Sequence, residues 1–183
     1  NAMIYGTWSE GYRPGGINRR AALPPSLADY LQNLEFGWKT TWFDNRLVFN
    51  GAIFKQNWND FQFNILGLNG LTEIKNANQA EVKGLEMDVN WAATYNFTIG
   101  AGMGWYDSKL TENYCGYTLN SQPLTYCPDG VEIETDDGLV TTTGPIAPVG
   151  TQLPITPKFK GNLSGRYEWD TAYEPFFQLT YVY

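Results

Sequence analysis

The sequence predicts an all-β fold, an antiparallel up-and-down meander of about seven strands, from two observations. Strand-length runs alternate apolar with polar residues, and the links between them are short at one end and long at the other. The short links fall at Asp44-Asn45, at 92–96 and at 170–172, and the long ones at 13–31, at about 64–71 and at 108–157. Short, long, short, long is how part of an outer-membrane β-barrel reads, with tight turns on one side of the membrane and long loops on the other.

The first strand occupies 3–12. In the second, Leu34, Phe36, Trp38 and Thr40 alternate with Glu35, Gly37, Lys39 and Thr41. Asp44-Asn45 then suits a primed hairpin turn, because both residue types tolerate positive φ, and Leu47, Phe49, Gly51 and Ile53 follow. A run from 72 to 91, longer than most soluble strands, ends with Leu85, Met87, Val89 and Trp91 alternating with Gly84, Glu86, Asp88 and Asn90. After the link at 92–96, Phe97, Ile99, Ala101, Met103 and Trp105 continue the apolar face beside an inner face of Thr98, Gly100, Gly102 and Gly104. Late in the chain Phe159, Leu163, Tyr167 and Trp169 alternate with polar residues, and Tyr173, Phe177, Leu179, Tyr181 and Tyr183 end the pattern. Glu35, Glu86 and Asp88 mark the inner face, since each would cost about 2–4 kcal/mol or less facing lipid, depending on depth.

Composition fits a wet-lined barrel. Aromatic content is 16% and charged content 17%, yet mean hydropathy is only -0.37, because half of each strand and all of the loops are polar. No run approaches the roughly 20 apolar residues of a membrane helix. A net charge of -7 with no basic cluster argues against nucleic acid as a partner. The absence of His removes Ser-His-Asp and Cys-His catalysis, and a carboxylate pair of the glycosidase kind depends on a spatial separation that sequence does not give, so no enzyme activity, cofactor or metal site is expected.

A soluble secreted β-sandwich that binds carbohydrate is the competing reading, because it also buries one face of each strand. Strand length favours the barrel, as do aromatics near strand ends at Trp42, Trp58, Trp91, Trp105, Tyr106 and Trp169, placed as a girdle at the membrane interfaces. Asn1-Ala2 ahead of Met3 reads as a scar of tag cleavage, leaving 3–183 as the barrel portion with its long extracellular-type loop at 108–157.

Four segments carry a resemblance. Ser9-Glu10-Gly11-Tyr12-Arg13-Pro14-Gly15-Gly16 comes first, then 33–39 with Trp42-Phe43-Asp44-Asn45-Arg46-Leu47. The third, Asn78-x-Ala80-x-x-x-Gly84-Leu85-Glu86, is the most specific, and Leu153-Pro154-x-Thr156-Pro157-Lys158 is the last. In this order they resemble barrel strands of the TonB-dependent outer-membrane receptors. The resemblance implies uptake of a scarce nutrient, by default a ferric siderophore, across the outer membrane of a Gram-negative bacterium. It implies as partners the outer-membrane lipid, a plug domain of the same parent chain and, through that plug, the TonB complex. With no plug segment and too few strands for the family's barrel, the chain reads as a slice of the C-terminal half, unable to transport alone. Its open edges and unlipidated apolar face predict self-association of the isolated fragment.

In an exported protein Cys115 and Cys127, both in the longest loop, read as a disulfide. Asp129, Glu132, Glu134, Asp136 and Asp137 read as a solvated acidic loop, since their spacing does not fit an EF-hand. Candidate ligand contacts are Tyr114, Tyr117 and Tyr126, with Arg13, Arg19 and Arg20 for an anionic ligand.

Overall fold

The computed structural model describes residues 1–18, 25–66, 70–154 and 156–183. Its strands are β1 (Ala2–Arg13), β2 (Asp29–Trp42), β3 (Leu47–Asn59), β4 (Gln62–Leu66), β5 (Thr72–Asn76), β6 (Gln79–Ala92) and β7 (Phe97–Leu110), followed by β8 (Thr118–Leu119), β9 (Gln122–Pro123), β10 (Glu132–Thr135), β11 (Gly138–Thr141), β12 (Phe159–Glu168) and β13 (Phe176–Val182). Seven of them form one antiparallel sheet in the order β1-β2-β3-β6-β7-β12-β13. Among the described residues no second sheet packs face to face on this one, which removes the sandwich reading.

The ladder registers carry the alternation across the sheet. One rung runs Gly6, Phe36, Ile53, Leu85, Trp105, Phe159, and the adjacent rung on the opposite face runs Tyr5, Gly37, Ala52, Glu86, Gly104, Lys160. The apolar face is open to its surroundings, with Leu34, Phe36, Ile53, Trp105, Leu163 and Leu179 all exposed. Along β7 it extends from Phe97 to Trp105. Eight steps at about 3.4 Å, tilted by roughly 40°, give an apolar band about 20 Å tall, close to what a bilayer core requires.

At the turn end, the Arg46 N–H donates to the Phe43 carbonyl at 3.1 Å, and Asp44 and Asn45 take φ of 53° and 68°. Both central residues are thus in the left-handed region, as the primed turn demands. The link between β12 and β13 is longer than the sequence pattern indicates, running from Trp169 to Pro175.

The loop end departs further from expectation. Of the residues assigned to a loop at 64–71, 64–66 instead belong to a ribbon, β4 paired with β5 from Gln62↔Asn76 to Leu66↔Thr72, while 67–69 lie outside the described residues. The run at 72–91 is correspondingly broken at Ala77-Asn78. At that break the Asp60 N–H donates to Asn78 O at 2.6 Å and Ala77 N–H to Phe61 O at 2.8 Å, with Asp60 at φ 52°. The β3–β6 pair therefore bends and continues as β4–β5. The long loop starts after Leu110 rather than at 108, and it contains two short hairpins, β8–β9 and β10–β11.

The buried apolar cluster lies here, not in the body of the sheet. Ala77, Ala80, Leu110 and Leu153 are buried, and Trp58, Phe61, Phe63, Val82, Tyr114 and Ala147 pack on them. Trp58, Ala80 and Leu110 share one rung, on the same face as Glu86. The loops thus fold inward over the polar face. Trp58 and Tyr106 are accordingly not girdle residues: both lie on the inner face, because their rungs have the parity of Glu35 and Glu86.

Candidate functional site

Three carboxylates expected on the inner face are there, each engaged by a neighbouring side chain. The Tyr5 hydroxyl donates to Glu35 Oε1 at 2.8 Å, the Tyr106 hydroxyl donates to Glu86 Oε1, and Asn50 Nδ2 donates to Asp88 Oδ2 at 3.0 Å. Lys160 Nζ stands 4.8 Å from the Tyr106 ring centroid and 3.9 Å from Glu86 Oε1. These groups line a concave wall enclosing about 630 Å³. Glycine makes room for the inner aromatics: a Cβ on Gly84 would fall into the Phe54 ring and 3.0 Å from the Trp105 carbonyl oxygen.

The loop end is organised by buried polar groups. Asp29, 2% exposed, accepts from Arg13 Nη2 at 2.5 Å and Nε at 3.3 Å, from Trp58 Nε1 at 3.0 Å and from the Gln62 N–H at 3.2 Å. Asn76 ties the first loop to the β3–β4 bend, accepting from the Leu27 N–H at 2.9 Å and donating to Leu27 O at 3.1 Å and Asp60 O at 2.6 Å. Asn18 exchanges two hydrogen bonds with the backbone of Ile74, at 3.0 and 2.8 Å. From Trp58 a chain of ring contacts runs through Phe61 and Phe63 to Tyr114, at centroid separations of 4.6, 6.1 and 5.0 Å.

The long loop is closed on itself by a disulfide between Cys115 and Cys127, with Cα atoms 6.0 Å apart. It is held to β7 by the Lys109↔Gln152 bridge, and the Tyr114↔Ala147 bridge joins its two ends to each other. Asp136 accepts the backbone N–H groups of Ser121 and Asn120 at 2.9 and 2.6 Å, which holds its carboxyl below the ordinary value. Asp60 is shifted the other way, raised by burial and by the charges of Asp29 and Glu112. Between the first loop, β5 and the long loop is a cleft of about 360 Å³, lined among others by Asn18, Lys75, Tyr114, Tyr117 and Asp136.

The candidate ligand contacts scatter. Arg13 is half-exposed but paired with Asp29. Tyr114 belongs to the loop core, where burial pushes its phenol up to about 12. Tyr117 borders the cleft beside Tyr114, whereas Tyr126 is 73% exposed. Arg19 and Arg20 lie outside the described residues. Asp29, Gln62 and Asn76, which hold the loops together, were missed because an isolated polar residue in sequence says nothing about which distant backbone groups it will meet.

An open meander with an exposed apolar band, a polar inner wall and ordered loops at one end is a segment of an outer-membrane β-barrel. The TonB dependent receptor-like β-barrel family model matches residues 1–183, and the chain belongs to that family. It is similar in fold to the ferric yersiniabactin uptake receptor FyuA of Yersinia pestis, with a TM-score of 0.61, 18% identity and 94% of this chain covered. The siderophore receptor PiuA of Acinetobacter baumannii gives 0.57, 21% and 98%. The ferric-catecholate import receptor Fiu of E. coli K12 gives 0.54, 16% and 94%. The chain spans only 22%, 26% and 21% of those proteins' lengths, and the barrel is not closed within it.

Proposed function

We propose that this chain is one portion of the barrel wall, with its extracellular loops, of a receptor that imports a scarce nutrient across the outer membrane of a Gram-negative bacterium. The observation that carries the reading is the division of one sheet into an exposed apolar band on one face and a hydrogen-bonded polar wall on the other. Lipid would cover the first, and a plug domain of the same parent chain, worked by the TonB complex, would fill the space bounded by the second. The similar receptors named above act on ferric siderophores, which makes a ferric siderophore the nutrient to test first. Its contacts are sought at Tyr117 and Tyr126, which the loops present at the cleft and outward, and at Arg19 and Arg20, which lie outside the described residues. The isolated chain, with β1 and β13 as open edges and its apolar face uncovered, self-associates in the absence of lipid.

An antibody raised against this chain tests the reading on fractionated source cells. A band several times larger than 20.7 kDa in the outer membrane is expected, together with loss of labelled ferric-siderophore uptake when its gene is deleted. A soluble band near 20.7 kDa would overturn the receptor assignment.

A further inference from the structure

The outward face of the sheet changes character within one rung. Phe36, Ile53, Leu85, Trp105 and Phe159 form its last fully apolar rung, and the next toward the loops reads Trp8, Leu34, Lys55, Lys83, Asp107. Lys55 and Lys83 stand directly opposite one another across the β3–β6 ladder, a placement of like charges that weakens a sheet unless an anion is held between them. Glu81 supplies part of that anion, with Oε2 2.9 Å from Lys55 Nζ and Oε1 2.7 Å from Lys83 Nζ. Its side chain is nearly covered at 12% exposure while both lysines remain 47% exposed. Asp107, on the same rung as the two lysines, is drawn to Lys109 at 3.1 Å, and Glu10, on the rung of Glu81, lies two strands away from Lys55 on β1. On β3, β6 and β7, three ammonium groups, those of Lys55, Lys83 and Lys109, therefore face the two carboxylates of Glu81 and Asp107. Each ammonium has three N–H donors, more than one carboxylate oxygen can take.

We propose that Lys55 and Lys83 form a phosphate-binding site for the headgroup of a lipid in the loop-side leaflet, an inference that rests on the receptor reading above. Height favours a lipid over free phosphate. The pair sits one rung beyond the apolar band, about 5 Å higher at the same strand tilt, which falls within the headgroup layer that flanks the hydrocarbon. Trp105, one rung below, and Trp8, on the same rung, flank it with the amphipathic rings found at that depth. Acyl chains would lie on Ile53 and Leu85, directly beneath the two lysines.

The receptor containing this chain, purified from outer membranes, is placed in nanodiscs with bisphosphorylated lipid A or its dephosphorylated form, and retained lipid is measured by native mass spectrometry. Expected is about a tenfold loss of the phosphorylated lipid in Lys55→Gln/Lys83→Gln, no loss in Lys55→Arg/Lys83→Arg or Glu81→Gln, and no dependence of the dephosphorylated lipid on any of them. Equal retention by the glutamine and arginine doubles would overturn the proposal, as would displacement by inorganic phosphate alone. A receptor missing from the outer membrane would defeat the receptor reading itself, whereas one that is present but indifferent to these lysines defeats only the headgroup site.

Discussion

The guanidinium of Arg13 closes on the carboxylate of Asp29 in a two-point contact, Nη2 to Oδ2 at 2.5 Å and Nε to Oδ1 at 3.3 Å, joining the loop ends of β1 and β2. The same Arg13 Nη2 lies 2.9 Å from the Gln62 carbonyl oxygen, so the contact reaches β4 as well. Asp29 is buried and Arg13 half-exposed, and that asymmetry predicts unequal effects of removing either one. Asp29→Ala leaves Trp58 Nε1 and the Gln62 N–H without their acceptor, a loss of about 2–4 kcal/mol. Arg13→Ala leaves Asp29 two of its donors but strands its buried charge without a cation, the larger loss at about 3–5 kcal/mol. Urea titration in detergent micelles, followed by tryptophan fluorescence, measures both; a smaller loss for Arg13→Ala would mean that the buried carboxylate does not depend on its cation.

The disulfide between Cys115 and Cys127 closes a ring with a sequence separation of 12. In the chain-entropy picture a ring of that size constrains the unfolded loop by about 3 kcal/mol. Mass spectrometry with and without reductant should show a two-proton gain. After reduction, or in Cys115→Ser, amide exchange should speed up through β8–β11, while the β3–β6 ladder keeps its protection.

Acid should act on the loops through two aspartates with opposite signs. Asp136 is held below the ordinary 3.8 by the Ser121 and Asn120 amides, so its stabilisation is complete above that value and disappears as pH falls through its folded pKa. Asp60 is raised above 3.8, chiefly by burial, so its contribution is complete below that value and is lost as pH rises through its folded pKa. Asp136→Asn should therefore flatten the acid limb of a protease-resistance profile. Asp60→Asn should strengthen the loops at neutral pH, because asparagine accepts the φ of 52° without charge. Matching profiles for the two variants would refute the assignment.

Sequence pattern foretold the sheet far better than the loops, for a physical reason. Period-2 alternation is a local record of a two-sided environment, so Leu85, Met87 and Val89 declare one face and Glu86, Asp88 and Asn90 the other. The Asp44-Asn45 turn was equally legible, because backbone chirality restricts which residues fit there. The β4–β5 ribbon was not, since Asp60 and Asn76 bend the chain through bonds to partners up to 49 positions away. Trp58 and Tyr106 were misread as girdle aromatics because nearness to a strand end was allowed to outweigh parity along the strand.

Phe54 lies across Gly84 on the inner face, with its ring 6.2 Å from that of Tyr106. Gly84→Ala places a methyl where the Phe54 ring now packs, and it also crowds the Trp105 carbonyl oxygen at 3.0 Å. Overpacking of this kind costs about 1–3 kcal/mol. Phe54→Ala in the same chain should relieve most of it, so the double variant should be less damaged than the two single losses added together. Additive losses in micelle unfolding would show that the Trp105 backbone, not the ring, sets the limit.

The assignment of the two faces can be tested at adjacent residues. Val89 lies mid-band on the outward face, opposite Phe49 and Ala101, while Asn90 points inward, opposite Val48 and Gly100. Arginine at the bilayer midplane of a barrel costs about 2–4 kcal/mol, whereas a wet lumen accepts it at little expense. Val89→Arg should therefore lower the equilibrium constant for refolding from urea into lipid vesicles by about one and a half to three orders of magnitude, and Asn90→Arg should stay close to the parent. If Asn90→Arg proved the damaging substitution, the inner and outer faces would be exchanged. The polar wall of Glu35, Glu86 and Asp88 would then face lipid, and the loop core built on Trp58, Ala80 and Leu110 would lie outside the barrel rather than over its mouth.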